Sequence, residues 1–239
     1  MDNIFDKNIG LLSSENQLEL NQTLIVLFGL GGVGGFTFES LLRAGINNFI
    51  IVDKDKFEIS NLNRQLASNL NTIGLYKVNV YKDLALKINE EVNIIDLIKN
   101  VNSENLEEIF FYTNKFINIK NIYVADCIDD VNAKVAIMKY CSKNNFKLIS
   151  CMGTANHIKS ENIKISSLKH TKYCPLAKKI RISLKDEENV NPDVLYIEEE
   201  PVDISKNVSN NIHKSTIQYI PAICGMKIAE FVIRSIIKQ

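Results

Sequence analysis

Gly29, Gly31 and Gly34, in the run Gly29-Leu30-Gly31-Gly32-Val33-Gly34, stand at the spacing of a backbone loop that cradles phosphate. Without side chains the backbone comes close to an anion. The free N–H groups and the dipole of a following helix then favour negative charge there. Asp53 ends the next apolar run, where a carboxylate accepts hydrogen bonds from ribose hydroxyls. The loop alone serves a dinucleotide and ATP equally. The stretch that follows separates them, because it brings Asn61, Arg64 and Gln65 close together, with Lys77 further on. Hydride transfer to a nicotinamide has no need of such a cluster. Nucleotidyl transfer does, since pyrophosphate leaves with several negative charges that fixed cations must stabilise. Arg64 can fork onto phosphate oxygens and Lys77 can add a point charge. Asp126 ends a further apolar run, in place to position Mg²⁺ or, through the metal, a phosphate. Asp129 and Asp130 are expected to cap the helix that starts near Val131.

The elements that hold these residues follow from periodicity. Thr23–Phe28 is a short apolar run rich in strand formers, the mark of a strand buried on both faces. A helix is predicted over Val33–Ala44, closed by Gly45, and a strand over Asn48–Val52. Residues 54–73 read as irregular. Helices are predicted at Leu75–Ile88, Ser103–Tyr112 and Asn132–Lys143, and strands at Val92–Ile98, Ile122–Cys127 and Lys147–Cys151. This alternation predicts an α/β fold with a doubly wound, mostly parallel sheet of Rossmann-like type. Beyond Cys151 the rhythm changes: strands at Asn162–Leu168 and Val194–Glu198, helices at Pro175–Leu184 and Pro221–Ile237, and a polar loop at Val202–Lys214. Asp186–Pro192 reads as a surface excursion, and residues 1–22 as polar with a short helix at Ser14–Leu20. The whole chain, 1–239, reads as one domain: a nucleotide-binding core over about 22–151 and a C-terminal extension over about 152–239 that completes a substrate site.

Composition narrows the classes. The 28 basic and 28 acidic residues balance, so charge does not announce a nucleic-acid binder. No stretch reads as a signal peptide or a membrane span, so a cytoplasmic protein without membrane contact is expected. The five cysteines form no C-x-x-C pair, which argues against a disulfide framework and a four-cysteine zinc site.

Taken together, the glycine loop, the Asp53–Gln65 segment, Lys77 and Asp126 resemble the ubiquitin-activating-enzyme-like superfamily, whose members adenylate carboxylates. Ser150–Asn156, Lys172–Ala177 and Ser215–Pro221 resemble one branch of it, the tRNA threonylcarbamoyladenosine dehydratases. The absence of cysteine pairs sets the chain apart from the sulfur-carrier adenylyltransferases. The resemblance implies ATP and Mg²⁺ as cofactors and a tRNA carrying threonylcarbamoyladenosine as substrate. It also implies a homodimer, with room for a sulfur-relay protein partner. In the implied site Gly29, Gly31, Gly32 and Gly34 cradle phosphate and Asp53 holds ribose. Asn61, Arg64 and Lys77 bind the triphosphate, and Asp126 positions Mg²⁺ or the reacting groups. Relatives carry an N-terminal Arg that reaches the partner subunit's nucleotide; Lys7 stands there in this chain, keeping the charge and losing the fork.

Three further features have bland readings beside sharper ones. Cys174 precedes Pro175 at a helix start, where a thiolate is favoured, but a small buried or half-buried residue is the stronger expectation. Cys127, Cys141, Cys151 and Cys224 are expected in the core. Lys169, His170, Lys172, Lys178, Lys179, Arg181 and Lys185 have no acid between them and suit either an RNA backbone or a solvated helix face. His157 and His213 are expected on the surface. Competing functions are an adenylyltransferase for a ubiquitin-like sulfur carrier, a nicotinamide-dependent oxidoreductase and a non-catalytic adaptor. The cluster at Asn61–Gln65 speaks against the oxidoreductase, and the intact glycine loop with Asp53, Arg64, Lys77 and Asp126 speaks against the adaptor.

Overall fold

The computed structural model describes residues 4–205 and 214–238, so His213 lies outside the described residues. Thr23–Phe28 (β1) is buried along its whole length, as its uninterrupted apolar run requires of a central strand. It pairs in parallel with Asn48–Val52 (β2) on one side and Asn121–Asp126 (β4) on the other. Asn93–Leu97 (β3) extends the sheet beyond β2, and Lys147–Cys151 (β5) extends it beyond β4. Asp193–Ile197 (β7) joins β5 in parallel, and Ile163–Ser167 (β6) closes the edge antiparallel to β7. The order is β3-β2-β1-β4-β5-β7-β6, the doubly wound α/β sheet expected, with strands from beyond Cys151 continuing it.

Two apolar cores lie on opposite faces. Helices Gly34–Arg43 (α3), Lys77–Ile88 (α4) and Tyr219–Ile236 (α8) cover one, through side chains such as Phe38, Tyr81 and Ile228. Phe38 meets Phe49 of β2 edge-on, with ring centroids 4.9 Å apart. Burying a side chain of that size contributes about 1.5–3 kcal/mol. Leu106–Phe111 (α5), Val131–Lys143 (α6) and Pro175–Ser183 (α7) cover the other face. No described helix is long and apolar enough to cross a membrane.

Two elements differ from the sequence reading. The N-terminal segment forms two helices, Asp6–Leu12 (α1) and Ser14–Asn21 (α2). α1 buries no residue of its own, which is why it has no apolar stripe to read. It is tied down instead by Asn8 Nδ2, which donates to Arg43 O at 2.8 Å. The helix expected over Ser103–Tyr112 starts only at Leu106. Asn102 and Asn105 bond each other's backbone amides at 3.0 and 3.1 Å, a local turn that competes with helical bonding.

Candidate active site

The C-terminal ends of β1, β2 and β4 converge on the glycine loop. Gly29 leaves β1 with φ +85°, a left-handed conformation that favours glycine. Its N–H donates to Val52 O at 2.8 Å, while Cys127 N–H donates to Phe28 O at 2.8 Å. A Cβ on Gly34 would stand 1.8 Å from Gly29 O, so the first turn of α3 folds back on the loop's own backbone. Around Gly31 there is open room: a Cβ there would have only Gln65 Nε2 nearby, at 3.9 Å. Gly32 lies against Pro221 at the start of α8 and the stem of Arg64.

Asp53, at the end of β2, is buried against this loop. Its Oδ2 accepts the Leu30 N–H at 2.6 Å and its Oδ1 accepts the Asp55 N–H at 2.8 Å. Each carboxylate oxygen has a second acceptor site beyond these bonds. Asn61 ends a tight turn over Ile59–Asn61, with its Oδ1 accepting the Glu58 N–H at 3.1 Å. Asn61 is thereby buried as the hinge of the turn that delivers Arg64 and Gln65. Arg64 Nη1 donates to Ser60 O at 2.7 Å and to Asn63 Oδ1 at 2.9 Å, which leaves the rest of the guanidinium fork uncommitted. Gln65 is buried with Oε1 unpartnered, and its Nε2 faces Gly31. Buried polar atoms are normally satisfied, so an orphan beside an open glycine loop suits a polar ligand. Lys77 is buried at the start of α4, with Nζ 3.1 Å from Asp55 Oδ2. That ties it to the loop through Asp55 and Asp53.

Asp126 ends β4 beside β1, as expected. It is fully buried, and Oδ2 accepts from Lys134 Nζ at 2.8 Å and Ser150 Oγ at 2.6 Å. Oδ1 accepts the Ile128 N–H at 3.1 Å. Mg²⁺ keeps several waters about it, and a dry carboxylate already bonded to an ammonium gives it no room. The pairing of Asp129 and Asp130 also divides. Asp130 caps α6, accepting the Ala133 N–H at 2.8 Å. The Asp129 side chain is 86% exposed, with only Lys214 Nζ near it, at 3.4 Å. Among the described residues no three His, Cys, Asp or Glu side chains gather as a metal cluster.

Cys141, Cys151, Cys174 and Cys224 are buried as expected, and Cys127 is only partly so by exposure. Burial pushes the Cys127 and Cys224 thiols up to about 12. His157 corrects the surface expectation: it is buried, with Nδ1 3.3 Å from Glu199 Oε1. Asn162 Nδ2 donates to the other oxygen of Glu199 at 2.9 Å. Burial raises the Glu199 carboxyl, but the bonds from Asn162 and His157 outweigh it and hold the group below its usual range. Asn156, with φ +64°, ties the same loop to Val202 and Ser215 through bonds of 2.7 Å each. Asn156 closes the Ser150–Asn156 segment singled out in the sequence, whereas Lys134 was missed. Lys134 had a signal: it is a charge at a register shared with Ala133, Ile137 and Cys141 on the buried face of α6.

A doubly wound sheet with a phosphate-type glycine loop, an acid at the end of β2 and cations beside it defines a nucleotide-binding α/β protein. Within that class, the chain belongs to the ThiF family, whose model matches residues 5–239. It is 31% identical to the tRNA threonylcarbamoyladenosine dehydratase of Bacillus subtilis, over 98% of this chain and 95% of the relative. It is 34% identical to the enzyme of the same name from Haemophilus influenzae, over 76% of this chain and 67% of that one. A similar fold is found in the E. coli tRNA N6-threonylcarbamoyladenosine dehydratase TcdA, solved in complex with ATP. The TM-score is 0.85 at 24% identity, covering 98% of this chain and 93% of the other.

Proposed function

We propose that this protein is an ATP-dependent tRNA threonylcarbamoyladenosine dehydratase. The observation that carries the reading is the near end-to-end match to the Bacillus subtilis enzyme, combined with a glycine loop whose Gly31 face is open beside Arg64 and Gln65. The backbone amides of Gly31–Gly34 receive phosphate, and Asp53 accepts from ribose through its remaining acceptor sites. Arg64 and Lys77 bind the oxygens of the leaving pyrophosphate, and Asn61 holds the turn that presents Arg64. The threonyl carboxylate oxygen attacks the α-phosphorus and the bond to pyrophosphate breaks, giving an acyl adenylate. The neighbouring carbamoyl group then closes a ring on the activated carbonyl and AMP leaves. Ring closure is intramolecular, so proximity supplies much of the rate.

Mg²⁺, where bound, would neutralise phosphate charge; buried Asp126 is tied to Lys134, whereas Asp129, although 3.4 Å from Lys214 Nζ, is exposed and would share the ion with phosphates and water. Residues 152–239 complete the substrate site. A homodimer fits the exposed Ile59, Leu66, Leu70 and Leu75, an apolar set on the segment beside the loop. Lys7 is exposed on α1 and free to reach a partner subunit.

Incubation with ATP, Mg²⁺ and threonylcarbamoyl-modified tRNA should reduce the mass of the modified nucleoside by one water. Arg64→Ala and Lys77→Ala should each abolish tRNA-dependent ATP–pyrophosphate exchange. Exchange driven instead by a protein with a Gly-Gly C-terminus would favour a sulfur-carrier adenylyltransferase, and near-normal exchange in both variants would overturn the site.

A further inference from the structure

Helix α7 begins beside the end of β5: Cys174 Sγ lies 3.9 Å, and Leu176 Cβ 3.8 Å, from where a Cβ on Gly153 would stand. β5 pairs with β4 and β4 with β1, all in parallel, so this helix start shares the sheet edge of the glycine loop. Two strand spacings separate them, about 10 Å. Just before the helix, Tyr173 has φ +60° and is 55% exposed. A bulky side chain in the left-handed region is an outlier that persists only where its surroundings enforce it.

The turn that precedes it is closely bonded. Thr171 is buried, its Oγ1 donates to Leu168 O at 2.8 Å, and Arg181 Nη1 donates to Thr171 O at 3.1 Å. Arg181 is therefore spent on holding the turn, and the ring of Tyr173 is held out at the surface. Around it, Lys172, Lys178 and Lys179 are exposed. Among the described residues none of these three lysines is in an ion pair, whereas nearby Lys164 and Lys139 are each paired with a glutamate. The acids Asp186, Glu187 and Glu188 follow the far end of α7, and Glu198 is near enough to Lys172 to feel its charge.

We propose that Tyr173, Lys172, Lys178 and Lys179 form the RNA-docking surface of this protein. The lysines contact backbone phosphates, and the Tyr173 ring stacks on an unpaired base of the substrate loop. Unstacked bases splayed onto aromatic side chains are the usual way a single-stranded loop is read. This rests on the tRNA reading above.

The test uses the full chain and threonylcarbamoyl-modified tRNA, with binding followed by fluorescence anisotropy from low to moderate salt. The triple variant Lys172→Gln, Lys178→Gln, Lys179→Gln should flatten the log K against log salt slope by about 2, for three contacts at ~0.7 each. Its KM for tRNA should rise while kcat and ATP affinity stay unchanged. Tyr173→Ala should weaken tRNA binding by about tenfold or more, and Tyr173→Phe should keep it. A wild-type slope in the triple variant, or Tyr173→Phe as weak as Tyr173→Ala, would overturn the docking surface while leaving the function standing. Wild-type protein that neither binds nor dehydrates the tRNA would overturn both.

Discussion

Lys134→Met isolates the strongest buried electrostatic contact beneath the site. Lys134 and Asp126 are both 0% exposed and 2.8 Å apart, with Ser150 Oγ bonded to both, at 2.6 Å to Asp126 and 3.1 Å to Lys134. Methionine keeps the stem and removes the ammonium, leaving the Asp126 carboxylate with Ser150 and the Ile128 amide alone. Removing one partner of a dry ion pair costs about 3–5 kcal/mol. For a chain of this size each kcal/mol lowers Tm by about 2–4 °C, so the expected fall is roughly 6–20 °C. Ser150→Ala deletes a hydrogen bond to a charged group and should cost about 1.5–3 kcal/mol. Adding Asp126→Leu to Lys134→Met removes both charges, and stability should return to near the parent value, because an apolar pair of similar volume is often no worse than a buried salt bridge. Urea denaturation of the two single variants and the double variant gives the coupling directly. A Lys134→Met loss below about 1 kcal/mol, or a double variant no more stable than either single one, would refute the claim that these charges are dry and mutually dependent.

Two other outcomes follow from the loop and the thiols. Gly34→Ala forces a methyl onto the Gly29 carbonyl at 1.8 Å and should cost about 1–3 kcal/mol along with nucleotide binding. Gly31→Ala meets nothing closer than 3.9 Å and should leave Tm unchanged while weakening ATP binding, as read by calorimetry; a Gly31→Ala protein with parental affinity would show that phosphate does not sit there. Burial raises the Cys127 and Cys224 thiols to about 12, and raises those of Cys141 and Cys151 as well. At about pH 8, Cys127 and Cys224 should carry on the order of one thiolate in 10⁴, so iodoacetamide should label the native protein slowly, with the rate climbing as pH rises. Cys174 is buried too, and its fast selective alkylation would contradict a packing role.

The parts of the site that were legible in the sequence are those encoded locally. The glycine spacing, Asp53 at the end of a five-residue strand and the Asn61–Gln65 turn each depend on residues close together in the chain, and the structure brings them to one strand end. The core strands were legible for the same reason: Thr23–Phe28 has no polar interruption and lies at the centre of the sheet. His157 was misread because its partners, Glu199 and Asn162, come from other segments and nothing beside it in sequence announces them. The φ of Tyr173 is equally silent: no glycine or asparagine stands there to announce a left-handed residue, and Arg181, which bonds the adjoining Thr171 carbonyl, comes from the following helix.

Asp126 shows where strand-end reasoning stops. The end of a central strand is where such sheets hold ligands, but the rule fixes the backbone and not what a side chain meets. Register does the rest: Asp126 stands opposite Ser150 of β5, and Lys134 comes down from the buried face of α6 onto both. That network holds the turn at Ile128 through the Asp126 Oδ1 bond, and the same turn lies close to Gly29: a Cβ there would stand 2.9 Å from the Cys127 carbonyl carbon and 3.1 Å from Ile128 N. Asp126 is thus connected to the glycine loop through backbone. Asp129, one residue before the cap of α6, is left outside the helix and faces solvent, because helical capping takes Asp130.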